Sequence, residues 1–367
     1  MNNKNRGLQG FFSVILSVSL LMTTFFFSGD LVSFFSNFTL GFFAVMSGVD
    51  EMKKNNMKMS SQSENEFIGF GNSFVADIDS ADTKTPEDIE KLMKEAVSAY
   101  ASFEKTGKIE ETKLSATSTT ISYGNVIVNN KTETKKVNIK KELSKKASFG
   151  KITKDEPYIL VYHTHTTEGY ELLDKGWYSD DYVSRTDNLN KTVVRVGEEI
   201  VNRLEKAGFK VIHDKTIYDA NYNGAYSRSL KTVEKILKEN PSIVITLDVH
   251  RDAIEYSSGT KCKPTATING KKAAQVMIIT GAEEGDIKDY PDWNKNLTFA
   301  VALQNKVEEN YKGLMRPIFF CQRKYNMHVT PCSLLLEMGT DANTLEEAVY
   351  SGRLIGDSLV ELLEENM

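Results

Sequence analysis

From about residue 155 the chain alternates between short unbroken apolar runs and stretches whose apolar residues recur at helical spacing. The run 158–162 (TyrIleLeuValTyr), entered after Pro157, predicts a buried strand, as do 209–212 (PheLysValIle) and 243–249 (IleValIleThrLeuAspVal). Between them, Val193, Val194, Ile200, Val201 and Leu204 predict a helix over 190–207 closed by Gly208, and a second helix spans 226–239, stopped by Asn240-Pro241. Strand–helix–strand alternation of this kind predicts a mostly parallel twisted sheet flanked by helices, an α/β fold. ThrAlaThrIle (265–268), then Asn269-Gly270, then an apolar run to Ile279, predicts a hairpin with a tight turn. A helix at 294–311, strands near 317–321 and 333–338, and a last helix at 344–364 complete this region.

Upstream the pattern changes. Leu8 to Gly29 carries no charged residue, Lys4 and Arg6 precede it, and Asp30 follows. About 20 apolar residues span a bilayer as a helix. The bulky Phe25-Phe26-Phe27 stretch offers no small-x-small cleavage site, so the expectation is an uncleaved single-pass anchor rather than a signal peptide. The flanking charges place the N-terminus in the cytoplasm and the remainder outside the cell membrane. A second apolar stretch, 31–46, is short and contains Ser, Asn and Thr; a two-span hairpin would reverse that topology. Residues 47 to about 85 read as a polar linker, 86–108 as a helix through Ile89, Leu92, Met93, Ala96 and Tyr100, and 110–150 as a strand or two followed by an exposed basic segment. The expected organisation is an anchor at 1–29, an apolar stretch, linker and small juxtamembrane region at 30–150, and a catalytic domain at 151–367.

Net charge is −5, from 45 Lys and Arg against 50 Asp and Glu, which argues against bulk nucleic-acid binding. Cys262, Cys321 and Cys332 form neither a disulfide framework nor a spaced zinc motif. No G-x-S-x-G elbow, Walker loop or G-x-G-x-x-G is present. The chemistry lies beyond the strand ends, where open α/β sheets bind ligands. The first strand runs into His163-Thr-His165-Thr-Thr-Glu168, the third into Asp248-Val-His250-Arg251-Asp252, and SerLeuLeuLeu (333–336) into Glu337. Imidazole and carboxylate together suit Zn²⁺, which in catalytic sites takes three protein ligands and keeps a fourth position open. His165 and His250 are the candidate histidine ligands. Glu168 is either a third ligand or an exposed loop acid, and His163 either caps its strand or orients the site from behind. Glu337, a charge following three leucines, is either the proton-transferring base or an ion-pair partner of Arg251. His213 and His328 are set aside as non-ligands.

At these residues the chain resembles the stage II sporulation protein P family, membrane-anchored cell-wall hydrolases related to zinc-dependent N-acetylmuramoyl-L-alanine amidases. The stretches that carry the resemblance are 159–168 (IleLeuValTyrHisThrHisThrThrGlu), 190–197, 247–253 (LeuAspValHisArgAspAla) and 325–348, so it covers roughly residues 150–367. It implies a zinc amidase-like fold, metal ligands at His165 and His250, and a catalytic Glu at Glu337. The relatives' metal Glu at the start of the first helix is matched here by Asn, so Glu168 is assigned in its place, with Arg251 stabilising charge or positioning Glu337. The resemblance further implies peptidoglycan as substrate, endopeptidase activity on cross-links, and partnership with stage II sporulation protein D (a lytic transglycosylase) and a membrane scaffold during engulfment of the forespore, between the mother-cell and forespore membranes. Two other readings stay open: a wall-binding scaffold with a decayed site, and a zinc carboxypeptidase or deacetylase.

Overall fold

A computed structural model of the chain describes residues 83–367. The expected anchor at 8–29, the apolar stretch 31–46 and the linker lie outside the described residues. Among the described residues no helix is long and apolar enough to cross a membrane.

Helix α1 (Glu87–Tyr100) leads into strands β1 (Gly107–Thr112), β2 (Ile121–Tyr123) and β3 (Val126–Lys131) and the short helix α2 (Ile139–Leu143). The alternating region follows as β4 (Pro157–Tyr162), β5 (Trp177–Tyr178), α3 (Val193–Lys206), β6 (Lys210–His213), α4 (Ala225–Glu239) and β7 (Ile245–Asp252). Then come β8 (Lys261–Ile268), β9 (Lys271–Ala274), β10 (Val276–Gly281), α5 (Trp293–Asn310), β11 (Ile318–Cys321), β12 (Cys332–Thr340) and α6 (Leu345–Glu364).

Eight strands form one sheet in the order β2-β3-β11-β10-β12-β7-β4-β6. Pairing is parallel except between β2 and β3 and between β10 and β12, so the expected mostly parallel α/β sheet is what forms. A second sheet, β5-β1-β8-β9, lies apart from it. Residues 107–131, read from the sequence as part of the juxtamembrane region, supply strands to both sheets. Local alternation there is weak because these strands are short and partly exposed, and their partners in β8 and β11 lie more than 140 residues away. The Asn269-Gly270 turn is as expected: both residues have positive φ, and Ile268 pairs with Lys271. The strand after it, however, breaks at Gln275. Its buried amide bonds to both the N–H and the C=O of Leu114, and the chain changes sheets there, from β9 to β10.

Side-chain alternation on the central strands sorts the layers. Ile159 and Val161 of β4, Ile245, Leu247 and Val249 of β7, and Leu334 and Leu336 of β12 join one core cluster with α3, α5 and α6. Leu160 and Tyr162 face the other way, onto Val233 of α4, and Leu335 packs with Ile279, Tyr290 and Met327. Asp248, His250 and Glu337 share the parity of this second face. Helix α6 starts at a capping box in which Thr344 and Glu347 satisfy each other's backbone N–H groups.

Candidate active site

The segment between β4 and α3 opens with His163-Thr164-His165-Thr166-Thr167-Glu168, and each residue has a distinct task. His163 is fully buried, with Nδ1 2.9 Å from the Val249 carbonyl and Nε2 2.9 Å from His213 Nε2. A carbonyl only accepts, so Nδ1 carries the hydrogen and Nε2 accepts from His213. Burial pushes His163 down to about 4 and His213 to about 2. With both nitrogens engaged, His163 ties β4 to β7 and β6 and offers no donor to a ligand.

His165 turns to the other side. Its ring stacks flat on Tyr222, 4.7 Å between centroids, and meets the His250 ring edge-on at 5.3 Å. His250 Nδ1 lies 3.4 Å from Glu168 Oε2. Two ligands on one tetrahedral zinc with bonds of about 2.1 Å would stand roughly 3.4 Å apart. Burial disfavours the charge on Glu168, but His250, Arg251 and His165 outweigh it and hold the carboxyl well below its usual range. Burial likewise opposes protonation of His250, and the Asp248 and Glu168 carboxylates reverse this, raising it well above an ordinary histidine. Glu168 also accepts from Arg185 Nη2 at 3.0 Å and from the Arg251 backbone N–H at 3.2 Å.

Glu337 stands beside His250 because β12 and β7 pair in parallel with these two residues in register. The ladder shifts immediately afterwards, at Gly339, whose φ of +79° no side chain adopts easily; a Cβ there would stand 2.7 Å from Asn343 Oδ1 and 2.8 Å from Ala274 Cβ. Glu337 Oε2 is buried without a hydrogen-bond partner. Burial and the nearby Asp252 carboxylate push Glu337 up to about 8. Arg251 does not pair with it. Its guanidinium donates to the Gly169 carbonyl at 2.8 Å and to Ser184 Oγ at 3.2 Å, so it braces the loop that carries Glu168.

The structure therefore brings His165, Glu168, His250 and Glu337 to one place and leaves His163 and His328 out of it. Among the described residues no three His, Cys, Asp or Glu side chains converge as a ready metal cage, and Arg185 holds the Oε1 oxygen of Glu168. The donor set nevertheless suits a zinc ion: His165 and His250 are buried imidazoles with ring centroids 5.3 Å apart, and the Glu168 carboxylate faces Nδ1 of His250. Sequence reasoning missed Asp219, 3.8 Å from His165 Nδ1 and bonded to Arg185 at 2.7 Å, and Tyr222, which covers the ring. Both follow the end of β6, so the strand-end rule that exposed the other residues could have found them. It also missed Arg316, which donates to Asp252 at 2.9 Å.

These features define an α/β protein with a histidine–carboxylate centre at the carboxyl ends of adjacent parallel strands. The family model of stage II sporulation protein P (SpoIIP) matches residues 58–359, and the chain belongs to that family. Stage II sporulation protein P of Bacillus subtilis (strain 168) is 31% identical over 222 residues, which are 57% of this chain and 52% of that protein. The chain thus matches about half the length of this curated relative. Solved structures with distant likeness include the N-acetylmuramoyl-L-alanine amidase AmiC2 of Nostoc punctiforme, at 11% identity and TM-score 0.33 over 57% of this chain and 96% of that one. The CwlD amidase of Clostridioides difficile, solved in complex with the GerS lipoprotein, is 14% identical at TM-score 0.34, over 57% of this chain and 99% of that one.

Proposed function

We propose that this chain is a membrane-anchored, zinc-dependent peptidoglycan hydrolase of sporulation. Its bond of choice is the amide between the lactyl group of N-acetylmuramic acid and L-alanine, and endopeptidase cleavage of stem-peptide cross-links is a second activity of the same site. Membership of the SpoIIP family supports the cell-wall role. The observation that carries the chemistry is the register of Glu337 beside His250, with His165 and Glu168 at the same strand ends. His165, Glu168 and His250 would hold the ion. Bound zinc supplies Lewis acidity toward a carbonyl and a water of lowered pKa, near ~7. Glu337 takes the proton of the attacking water and passes it to the departing amine, so that a C–O bond forms as the C–N bond breaks. Arg251 keeps the Glu168 loop in place through Gly169 and Ser184. By family resemblance its partners are stage II sporulation protein D and a membrane scaffold, and its site of action lies between the mother-cell and forespore membranes.

The test uses the full chain purified in mild detergent, with zinc quantified and peptidoglycan digested with and without chelator. About one zinc per chain and chelator-sensitive release of intact stem peptides are expected. Glu337→Gln should keep the zinc and lose at least about 10²-fold in turnover. Loss of acetyl groups instead of peptides would replace the amidase reading with a deacetylase, and no zinc with no release would leave a wall-binding scaffold.

A further inference from the structure

The two candidate metal histidines share a feature that the proposed reaction does not use: behind each stands a buried carboxylate, itself held by a threonine of the same loop. Asp248 Oδ1 lies 2.8 Å from His250 Nε2 and accepts from the Thr164 N–H at 2.8 Å, while its Oδ2 accepts from Thr164 Oγ1 at 2.7 Å. Asp219 Oδ2 lies 3.8 Å from His165 Nδ1 and accepts from Thr167 Oγ1 at 2.7 Å, with Oδ1 accepting from the Thr167 N–H at 3.1 Å. Thr164 and Thr167 thus flank His165, and the loop is clamped between two carboxylates through matching pairs of backbone and hydroxyl donors. Neither His165 Nδ1 nor His250 Nε2 has an aligned hydrogen bond, although both are buried. A buried polar atom left without a partner costs about 1–3 kcal/mol, and each of these nitrogens has a carboxylate oxygen near it, Asp219 Oδ2 at 3.8 Å and Asp248 Oδ1 at 2.8 Å. On His250 the opposite nitrogen, Nδ1, already faces Glu168.

We infer that Asp219 and Asp248 are positioning residues for the metal centre: each holds the N–H of one histidine, so that His250 ligates through Nδ1 and His165 through Nε2. A carboxylate behind a ligating imidazole fixes the tautomer and raises ligand basicity, and loss of such a partner typically weakens metal binding about 10–100-fold. This deepens the reading proposed above and rests on the zinc site assigned there. The arrangement explains why the motif alternates threonine with histidine: the threonines hold the carboxylates that the histidines need.

The experiment uses the full chain, zinc-loaded, with the imidazoles labelled with ¹⁵N. The ¹⁵N shifts identify which nitrogen of His165 and of His250 is bound to the metal and which carries hydrogen. Alongside, Asp219→Asn and Asp248→Asn are compared with the parent for zinc affinity, by competition with a chromophoric chelator, and for melting of the metal-free form. Ligation through His250 Nδ1 and His165 Nε2, with zinc bound 10–100-fold more weakly by each variant at a near-parental metal-free melting temperature, is the expected result. Ligation through the opposite nitrogens, or folded variants that bind zinc as tightly as the parent, overturns the inference and leaves the hydrolase reading intact. The nitrogen assignment is made on the parent, so the question is decided even where a variant does not fold. A parent chain that binds no zinc overturns the zinc site first, and this inference with it.

Discussion

Replacing Glu337 should raise the stability of the metal-free protein, and by an amount that depends on pH. In the folded state burial and Asp252 hold the Glu337 proton up to about pH 8, while in the unfolded chain an ordinary carboxyl releases it at 4.5. Between these values the folded state binds more protons than the unfolded one, so this group lowers stability steadily as pH rises from 4.5 to 8. The whole interval corresponds to at most about 5 kcal/mol. Glu337 is not fully sealed from solvent, although its Oε2 is, and residual hydration of the carboxylate brings the realistic figure to about 2–3 kcal/mol. Glu337→Gln keeps the shape and removes the titration. Urea unfolding in the presence of a chelator, at pH 5 and at pH 8.5, gives the variant-minus-parent difference at each pH. Any fixed cost of placing an amide there cancels between the two. The gain should be larger at pH 8.5 by about 2 kcal/mol or more. A difference that is flat with pH, or larger at pH 5, would refute the picture of a carboxyl held out of its ionised form by burial. The same variant should be inactive, so the residue proposed to move the proton is also one that costs the fold stability.

Other outcomes follow from the packing and electrostatics. His163 is held neutral down to about pH 4 against 6.5 in the unfolded chain, so its contribution is complete above pH 6.5 and is lost as pH falls toward 4; His163→Asn should flatten this part of the stability curve by about 3 kcal/mol in acid titrations followed by circular dichroism. Gly352 on α6 meets α3 so closely that a Cβ would stand 2.7 Å from the Val196 carbonyl oxygen; Gly352→Ala should lose about 1–2 kcal/mol in chemical denaturation, overpacking outweighing the helix-propensity gain, and a variant at least as stable as the parent would contradict the close crossing. Thr344→Ala removes half of the α6 capping box and should cost about 1 kcal/mol by the same measurement. Chelation of zinc from the loaded protein should lower its melting temperature, and titrating zinc back should restore it in a concentration-dependent way.

Much of this molecule is legible in the order of its residues, because the information is local. Apolar runs of strand length alternating with helical periodicity announce β4, α3, β6, α4 and β7, and Asn269-Gly270 announces its hairpin through backbone conformation alone. The same local reading places His165, Glu168, His250 and Glu337 just beyond or at the ends of strands. What it could not supply is anything set by long-range pairing. Whether residues 107–131 belong to the main body depends on partners far along the chain, and weak alternation in short edge strands does not name them. The choice between His163 and His165 is likewise tertiary: two residues apart in an extended strand they would share one side, and it is the turn over 164–167, set where β4 packs between β6 and β7, that sends one to His213 and the other to His250. Arg251, chemically able to pair with Glu337, is committed to Gly169 and Ser184, and Asp219 reaches His165 from a loop more than 50 residues away. Residue types and strand-end positions therefore specified which chemistry this chain can attempt. The parallel register of β7 with β12, a property of the folded sheet alone, set Glu337 beside His250 and made a site of them.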